Sequence, residues 1–163
     1  MQYKDLNIYN EKLENQYIDF LKKNGKYNDN KEEAISSLKQ ALSSVYKDNG
    51  NSYIKSKKPS EAILFYEVAR TLFPHPSINS NLALALMMRR DFGRAIVACN
   101  EALSSPLIDQ TLVAKVHLRL ATIYGKHLND QATSKKHITE GLNNPEVDNG
   151  TKKKLNTLLS SFK

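Results

Sequence analysis

Residues 43–75 read SSVYKDNGNSYIKSKKPSEAILFYEVARTLFPH, and this stretch carries the clearest structural signal in the chain. Apolar residues recur every third or fourth position on both sides of Pro59, which is the spacing of helices with one apolar face. Pro59 suits the first turn of a helix, because that turn does not use the missing N–H. The stretch is therefore predicted to form two helices joined by a short turn.

A similar pattern returns 33 residues further along the chain. The segment SEAILFYEVARTLFP places Ala62 and Ala69 where the segment GRAIVACNEALSSP places Ala95 and Ala102. Small residues at fixed helical positions let neighbouring helices approach closely. Similarity at such a period indicates a repeat architecture.

These residues resemble the tetratricopeptide repeat (TPR), whose pattern is an aromatic residue, Leu-Gly and Tyr, followed by Ala, an aromatic residue, Ala and Pro. The repeats would span about Ser43 to His75, Pro76 to Asp109 and Ala114 to Pro145, and the first departs from the pattern at Asn49, where Leu is usual. The resemblance implies an all-α fold, an α-solenoid of about three antiparallel helix pairs. The matching residues are Tyr46, Gly50, Tyr53, Ala62, Tyr66, Ala69 and Pro74, then Leu82, Ala83, Ala95, Ala102 and Pro106, then Leu120, Ala121 and Tyr124, with Ser134 and Gly141 at the last two small-residue positions.

The segment before the repeats is predicted to be ordered. A long helix is expected from about Lys31 to Lys57, because an apolar stripe runs without a breaker from Ala34 through Val45 to Tyr46. A further helix over Leu6 to Leu21 would pack against it. The side chains expected at that contact are Ile18, Phe20 and Leu21.

The segment after the repeats is predicted to close the apolar edge of the last repeat with a helix. Four side chains would share the inward face of this helix, namely Leu155, Leu158, Leu159 and Phe162. The whole chain, 1–163, is then expected to be a single TPR-like domain. It would consist of a helical extension over 1–42, three repeats over 43–145 and a capping helix over 150–163.

Composition and charge limit the function classes. With Cys99 as the only cysteine, the chain can form no internal disulfide, and a cytoplasmic location is expected. The first residues lack a secretory signal, and no apolar run is long enough to cross a bilayer. Lys and Arg number 24 against 17 Asp and Glu, a net charge of +7, which favours acidic partners.

No constellation of catalytic residues is recognisable, so no enzyme activity, cofactor or metal is expected. Phosphate-binding Gly-rich loops, nucleophile elbows and paired His on one helical turn are all absent from the sequence. Cys99 is interpreted as a buried, unreactive thiol. The four His are interpreted as solvated or packed rather than as metal ligands, and they are His75, His117, His127 and His137.

Binding residues are expected on the first helix of each repeat, since in stacked helix pairs those helices line the concave groove. The pattern resembles the carboxylate clamp of TPR co-chaperones, which hold the Glu-Glu-Val-Asp C-terminus of the cytosolic 70-kDa and 90-kDa heat-shock chaperones. In that family a Lys-x-x-Gly-Asn motif is followed by an Asn before a small residue and then by Lys-x-x-x-Arg. We call the five matching positions the clamp residues: Lys47, Asn51, Asn81, Lys115 and Arg119.

The resemblance implies a non-catalytic co-chaperone adaptor that binds the C-terminal tails of heat-shock chaperones or other acidic peptides. One alternative is a general TPR scaffold or secretion-type chaperone that recognises an extended segment. A nucleic-acid module is disfavoured, because Tyr46, Tyr53 and Tyr66 fall at core positions of the repeat rather than on an exposed stacking platform. Neither membrane insertion nor nucleic-acid binding is expected, and the oligomeric state is left open.

Overall fold

A computed structural model of the protein describes residues 6–162, where helices alternate with short turns and no strand occurs. The contacts divide the chain into two compact units, one ending at Pro74 and the other beginning at His75.

The first unit contains helices α1 (Glu11–Lys23), α2 (Lys31–Lys55) and α3 (Pro59–Leu72). The long helix predicted from Lys31 is confirmed to within two residues at its end. It begins where the Asn30 side chain accepts a hydrogen bond from Glu33 N at 3.0 Å, which satisfies an N–H that has no partner within the helix.

Helices α2 and α3 form the first repeat and pack through small residues. A Cβ atom on Gly50 would lie 2.6 Å from the ring of Tyr66, so only glycine permits this approach. Two helical turns before Gly50 on α2, the buried Ser43 hydroxyl donates to the Ala69 carbonyl at 2.8 Å. Lys57, in the left-handed region at φ 56°, ends α2, and Lys58 N donates to Tyr53 O at 2.9 Å.

The segment before α2 is docked, as predicted, but by fewer side chains than expected. Ile18 is 7% exposed, whereas Phe20 is 56% exposed, so the expectation that Phe20 packs inward is wrong. Val45, expected within the stripe on α2, is also 56% exposed. Docking also involves the backbone, because the Tyr46 hydroxyl donates to Leu6 O at 2.6 Å.

The first described helix begins at Glu11 rather than at Leu6, because Asn10 acts as its N-cap. The Asn10 side chain accepts from Leu13 N at 2.9 Å, and its amide group donates to Ile8 O at 3.2 Å. These bonds hold residues 7–10 in a non-helical conformation. Side-chain hydrogen bonds of this kind compete with extension of the helix towards the N-terminus.

The second unit contains helices α4 (Pro76–Met88), α5 (Phe92–Leu103), α6 (Gln110–Thr122), α7 (Gln131–Leu142) and α8 (Asn149–Ser160). A π-helical turn, Ile123–His127, continues α6. The third repeat begins at Gln110, four residues before the predicted Ala114, because Asp109 caps α6 by accepting from Leu112 N at 2.7 Å.

Helices α6 and α7 also pack through small residues, although this repeat matches the TPR pattern least well. The fully buried Ser134 hydroxyl donates to the Ala121 carbonyl at 2.7 Å. On the same helix as Ser134, a Cβ atom on Gly141 would lie 2.9 Å from Leu155. The two small-residue positions inferred from the sequence therefore make the close contacts expected of them.

Helix α8 covers the apolar edge of α6 and α7, as predicted. Leu155 and Leu158 are buried against Ala121 and Ile138, and Phe162 packs against this cluster. Leu159 is 40% exposed, so its expected place on the inward face is wrong. No helix among residues 6–162 combines the length and apolar character needed to span a bilayer.

A matched pair of variants tests the docking of α1. Ile18→Ala removes a buried side chain and is expected to lower the free energy of unfolding by about 2 kcal/mol. Phe20→Ala removes a larger but exposed side chain and is expected to change it by less than about 0.5 kcal/mol. Chemical denaturation measures both values. Equal losses, or a larger loss for Phe20→Ala, would contradict the described packing.

Candidate peptide-binding site

In the first unit, α2 carries the clamp residues Lys47 and Asn51 one helical turn apart. Both side chains are partly exposed. The Tyr66 hydroxyl on α3 donates to Asn51 Oδ1 at 2.7 Å. The bond to Oδ1 fixes the orientation of the Asn51 amide. Its Nδ2–H groups, which can only donate, are then the atoms that would meet an added ligand.

The contact between Gly50 and Tyr66 determines this orientation. The Tyr66 ring lies against the glycine that precedes Asn51, and the ring is 1% exposed. A residue with a side chain at position 50 would displace the ring and, with it, the hydroxyl that holds Asn51. The small residue of the repeat and the polar residue beside it therefore act together.

In the second unit, α4 and α6 carry the remaining clamp residues, which are Asn81, Lys115 and Arg119. Arg119 Nη1 donates to Ser80 Oγ at 2.7 Å, and Ser80 is fully buried. This bond joins α6 to α4 at the residue directly before Asn81. The structure thus brings the third-repeat Arg beside the second-repeat Asn segment.

Lys115 lies one turn before Arg119 and is more exposed. Its Nζ is 3.9 Å from Asp148 Oδ2, and the two side chains are 47% and 42% exposed. Asp148 caps α8, and hydrogen bonds from Thr151, more than the charge of Lys115, lower the pKa of this carboxyl. An exposed ion pair at this distance is weak, so Lys115 can exchange Asp148 for another carboxylate at little cost.

Three supporting side chains were missed by the sequence analysis. Tyr66 was assigned only a packing role, Ser80 was assigned none, and Asp148 was not considered. The sequence contained a signal for two of these residues. Tyr66 packs on Gly50, which is next to Asn51, and Ser80 directly precedes Asn81. The pairing of Lys115 with Asp148 depends on where α8 packs, which the local pattern does not specify.

Solved structures with a similar fold include three TPR domains. The TPR2AB domain of yeast Sti1, in a complex with pHSP90, has a TM-score of 0.66 at 22% identity over 75% of this chain and 48% of that one. The Arabidopsis OM64 TPR domain has a TM-score of 0.64 at 25% identity, over 76% of this chain and 98% of that one. The N-terminal domain of stress-induced protein-1 (STI-1) from C. elegans has a TM-score of 0.63 at 23% identity, over 74% and 97%.

The chain has the tetratricopeptide-repeat fold. This confirms the all-α fold class with TPR helix pairs that the sequence predicted. The chain spans about half the length of the Sti1 chain and nearly the whole of the other two TPR domains. No family model and no curated protein matches the sequence.

Cys99 lies in the core of the second TPR repeat, as interpreted from the sequence. It is fully buried on α5, and burial raises the pKa of its thiol to about 12, while the charge of Arg119 opposes that rise. The thiol therefore stays protonated near neutral pH. A protonated, inaccessible thiol is a poor nucleophile, which agrees with an unreactive role.

Two of the four histidines meet within the third TPR repeat. His117 on α6 and His137 on α7 place their Nδ1 atoms 3.1 Å apart, and the Tyr124 ring stacks on His137 with centroids 5.8 Å apart. The histidines are 20 residues apart in sequence, and the pairing of antiparallel helices brings them together. Among residues 6–162 no group of three or more potential metal ligands accompanies them.

The histidine pair is arranged for the neutral state. Burial lowers the pKa of both imidazoles, His117 lowers that of His137 further, and the Glu140 carboxylate opposes both shifts. One Nδ1–H can donate to the other Nδ1 only while at least one ring is neutral. Protonating both rings would replace this hydrogen bond with repulsion between like charges.

The histidine pair should therefore make folding stability depend on pH. Because folding lowers both pKa values, the unfolded chain binds more protons as the pH falls below about 6.5, and the folded state is destabilised there. The contribution of the pair to the free energy of unfolding is fully present above that pH. It is lost as the pH falls through the pKa values that the two histidines have in the folded state.

Thermal unfolding of the parent and of His137→Gln between about pH 7.5 and about pH 5 checks this. The melting temperature of the parent should fall more steeply with acid than that of the variant. Parallel profiles for the parent and His137→Gln would contradict a role for the pair.

Proposed function

We propose that the protein is a non-catalytic TPR scaffold, a co-chaperone adaptor that binds the acidic C-terminal peptide, of Glu-Glu-Val-Asp type, of heat-shock chaperones. The observation that carries the proposal is the Arg119–Ser80 bond, which holds a cationic donor beside the Asn81 segment at the spacing of the carboxylate-clamp motif. The similarity in fold to Sti1 TPR2AB, a domain found in a complex with pHSP90, supports the same conclusion.

In the proposed mode, each clamp residue donates to a carboxylate. Lys115 and Arg119 bind the side chain of the last Asp, since ammonium and guanidinium groups supply donors and no acceptors. The terminal carboxylate is bound by Lys47, Asn51 and Asn81.

The clamp residues differ in how firmly they are held, and this divides their roles. Arg119 and Asn51 are fixed by hydrogen bonds to Ser80 and Tyr66, so they contribute donors of defined direction. Lys115 is fixed only by a weak exposed ion pair, so it adapts to the incoming carboxylate. Donors oriented before binding lower the entropic cost of association.

An alternative function is a general TPR peptide-binding scaffold or a secretion-type chaperone that recognises an extended segment. Such a protein would bind internal sequences and would not require a free C-terminus. A cytoplasmic location stays a prediction from the single cysteine. The 70-kDa and 90-kDa chaperone tails are the proposed partners, together with other acidic peptides that end in a carboxylate.

Alanine substitutions test the clamp. Lys47→Ala, Lys115→Ala and Arg119→Ala each remove a charge-assisted hydrogen bond worth about 1.5–3 kcal/mol, so affinity for a Glu-Glu-Val-Asp peptide should fall by about tenfold to a hundredfold. Lys55→Ala, on the same helix as Lys47, is the control and should bind as the parent does. Isothermal titration calorimetry gives the affinities, and circular dichroism checks the fold. Unchanged affinity in folded Lys47→Ala and Arg119→Ala would contradict the proposal.

The peptide provides an independent test that changes nothing in the protein. Amidating its C-terminus removes one carboxylate charge and should weaken binding about as much as Lys47→Ala does. The parent should bind the free peptide with about micromolar affinity, weakened by salt as exposed charges are screened. Equal binding of the free and amidated peptides would instead support recognition of an extended segment.

A further inference from the structure

Helices α6 and α8 enclose a groove in the second unit that the proposed clamp does not use. Its volume is about 560 Å³, within the range of ligand-binding pockets. Its lining positions on α8 recur every third or fourth residue, so the groove runs along that helix. The lining residues are Leu118, Thr122 and Lys126 from α6 and the π-helical turn, with Gly150, Lys153, Lys154, Thr157, Leu158 and Ser161 from α8 and the residue after it.

The groove combines an apolar floor with a cationic rim. Leu118 and Leu158 belong to the core around α8, and Leu158 is only 4% exposed, so the floor is recessed. Lys126, Lys153 and Lys154 are exposed, and no lining residue is acidic. Among residues 6–162, these three lysines form no ion pair within 4.0 Å, so no described residue pairs with the positive charge of the rim.

The hydroxyl groups that line the groove can accept hydrogen bonds from a ligand, because each already donates its hydrogen to a backbone carbonyl. Thr122 Oγ1 already donates to Leu118 O at 2.8 Å, and Thr157 Oγ1 donates to Lys153 O at 2.9 Å. Ser161 Oγ likewise donates to Leu158 O at 2.6 Å. Each oxygen keeps acceptor capacity for an added N–H group.

From this arrangement we propose that the groove is a second binding site, which takes an internal acidic segment of a partner protein, with one apolar side chain flanked by carboxylates. The apolar side chain packs on Leu118 and Leu158, and the carboxylates pair with the lysines. Backbone N–H groups of the segment donate to the hydroxyl oxygens. No free C-terminus is needed, so this site does not depend on the proposed clamp.

The chemistry of the lining favours a peptide over other anions. Nucleic-acid strands bind basic grooves through aromatic stacking platforms, and none of the lining residues is aromatic. An anionic membrane surface calls for apolar side chains that protrude, whereas Leu158 lies at the bottom of a concave groove. A recessed apolar floor within a cationic rim instead fits a side chain that projects from an acidic segment.

The probe for a test is a fluorescent peptide of sequence Asp-Glu-Leu-Asp-Glu, acetylated and amidated so that it has no terminal charge. One comparison peptide replaces Leu with Ser, and a second replaces the acids with their amides. The protein variant is Lys153→Glu/Lys154→Glu, and the control is Lys152→Glu, which lies on the same helix but outside the groove lining. All three lysines are exposed, and substitutions at exposed positions change stability little, so both variants should fold.

The parent should bind the probe at concentrations below about 1 mM, and the double variant should weaken binding by about tenfold or more, since two exposed pairs are lost and repulsion is introduced. Lys152→Glu should change it by less than about threefold. Both comparison peptides should bind more weakly than the probe. Amide shifts in NMR spectra of the labelled protein should concentrate at Thr122, Gly150 and Ser161.

Several results would overturn the inference. Equal loss in Lys152→Glu, or equal binding of the Ser peptide, would mean that only the overall positive charge attracts the probe. An oligonucleotide or anionic vesicle that binds through Lys153 and Lys154, while the probe does not bind, would assign the groove to another ligand. Binding of the Glu-Glu-Val-Asp peptide is scored separately through Lys47→Ala, so failure of one site is distinguishable from failure of the other.

Discussion

Close approach of helices at small residues is the constraint on which the rest of the structure depends. In the first unit, Gly50 admits the Tyr66 ring, and in the second, Gly141 admits Leu155. The two glycines act on different parts of the molecule. Gly50 brings a hydroxyl to Asn51, while Gly141 lets α8 seat on the third repeat and form one wall of the basic groove. Both proposed binding surfaces therefore depend on how tightly neighbouring helices pack.

Hydrogen bonds from buried hydroxyls to backbone carbonyls add direction to this packing. Ser43 bonds to Ala69 in one repeat and Ser134 to Ala121 in another. Ser134 stands where alanine is usual, and its hydrogen bond leaves no unpaired group there. This explains how the third repeat keeps its geometry although its sequence departs from the TPR pattern. These positions require a small side chain. Serine is tolerated there because it is small and its hydroxyl group is hydrogen-bonded.

Much of the fold could be predicted from the sequence, because helical periodicity and capping residues are local signals. The bounds of α2, the pairing of α2 with α3 and the covering role of α8 follow from such signals. Phe20 and Leu159 were assigned to inward faces by spacing alone, but a helix at the edge of a stack buries only a narrow stripe. The π-helical turn and the His117–His137 contact depend on packing between helices, which spacing along one helix cannot reveal.

The candidate site could be predicted only in part for the same reason. A motif identifies which residues carry the charge, whereas the supporting bonds from Tyr66, Ser80 and Asp148 come from other helices. These bonds separate fixed donors from adaptable ones. The lysines of the basic groove carry no recognisable motif, and their common property, a positive charge around an apolar floor, appears only once α8 is seated against α6.

The five clamp residues are proposed to bind the carboxylates of one peptide. Chemical-shift mapping of the labelled protein during titration with a Glu-Glu-Val-Asp peptide tests this proposal most directly. We expect shifts around Lys47, Asn51, Asn81, Lys115 and Arg119, with one common dissociation constant. Shifts confined to some of these positions, or two sets of shifts that saturate at different peptide concentrations, would contradict the proposal.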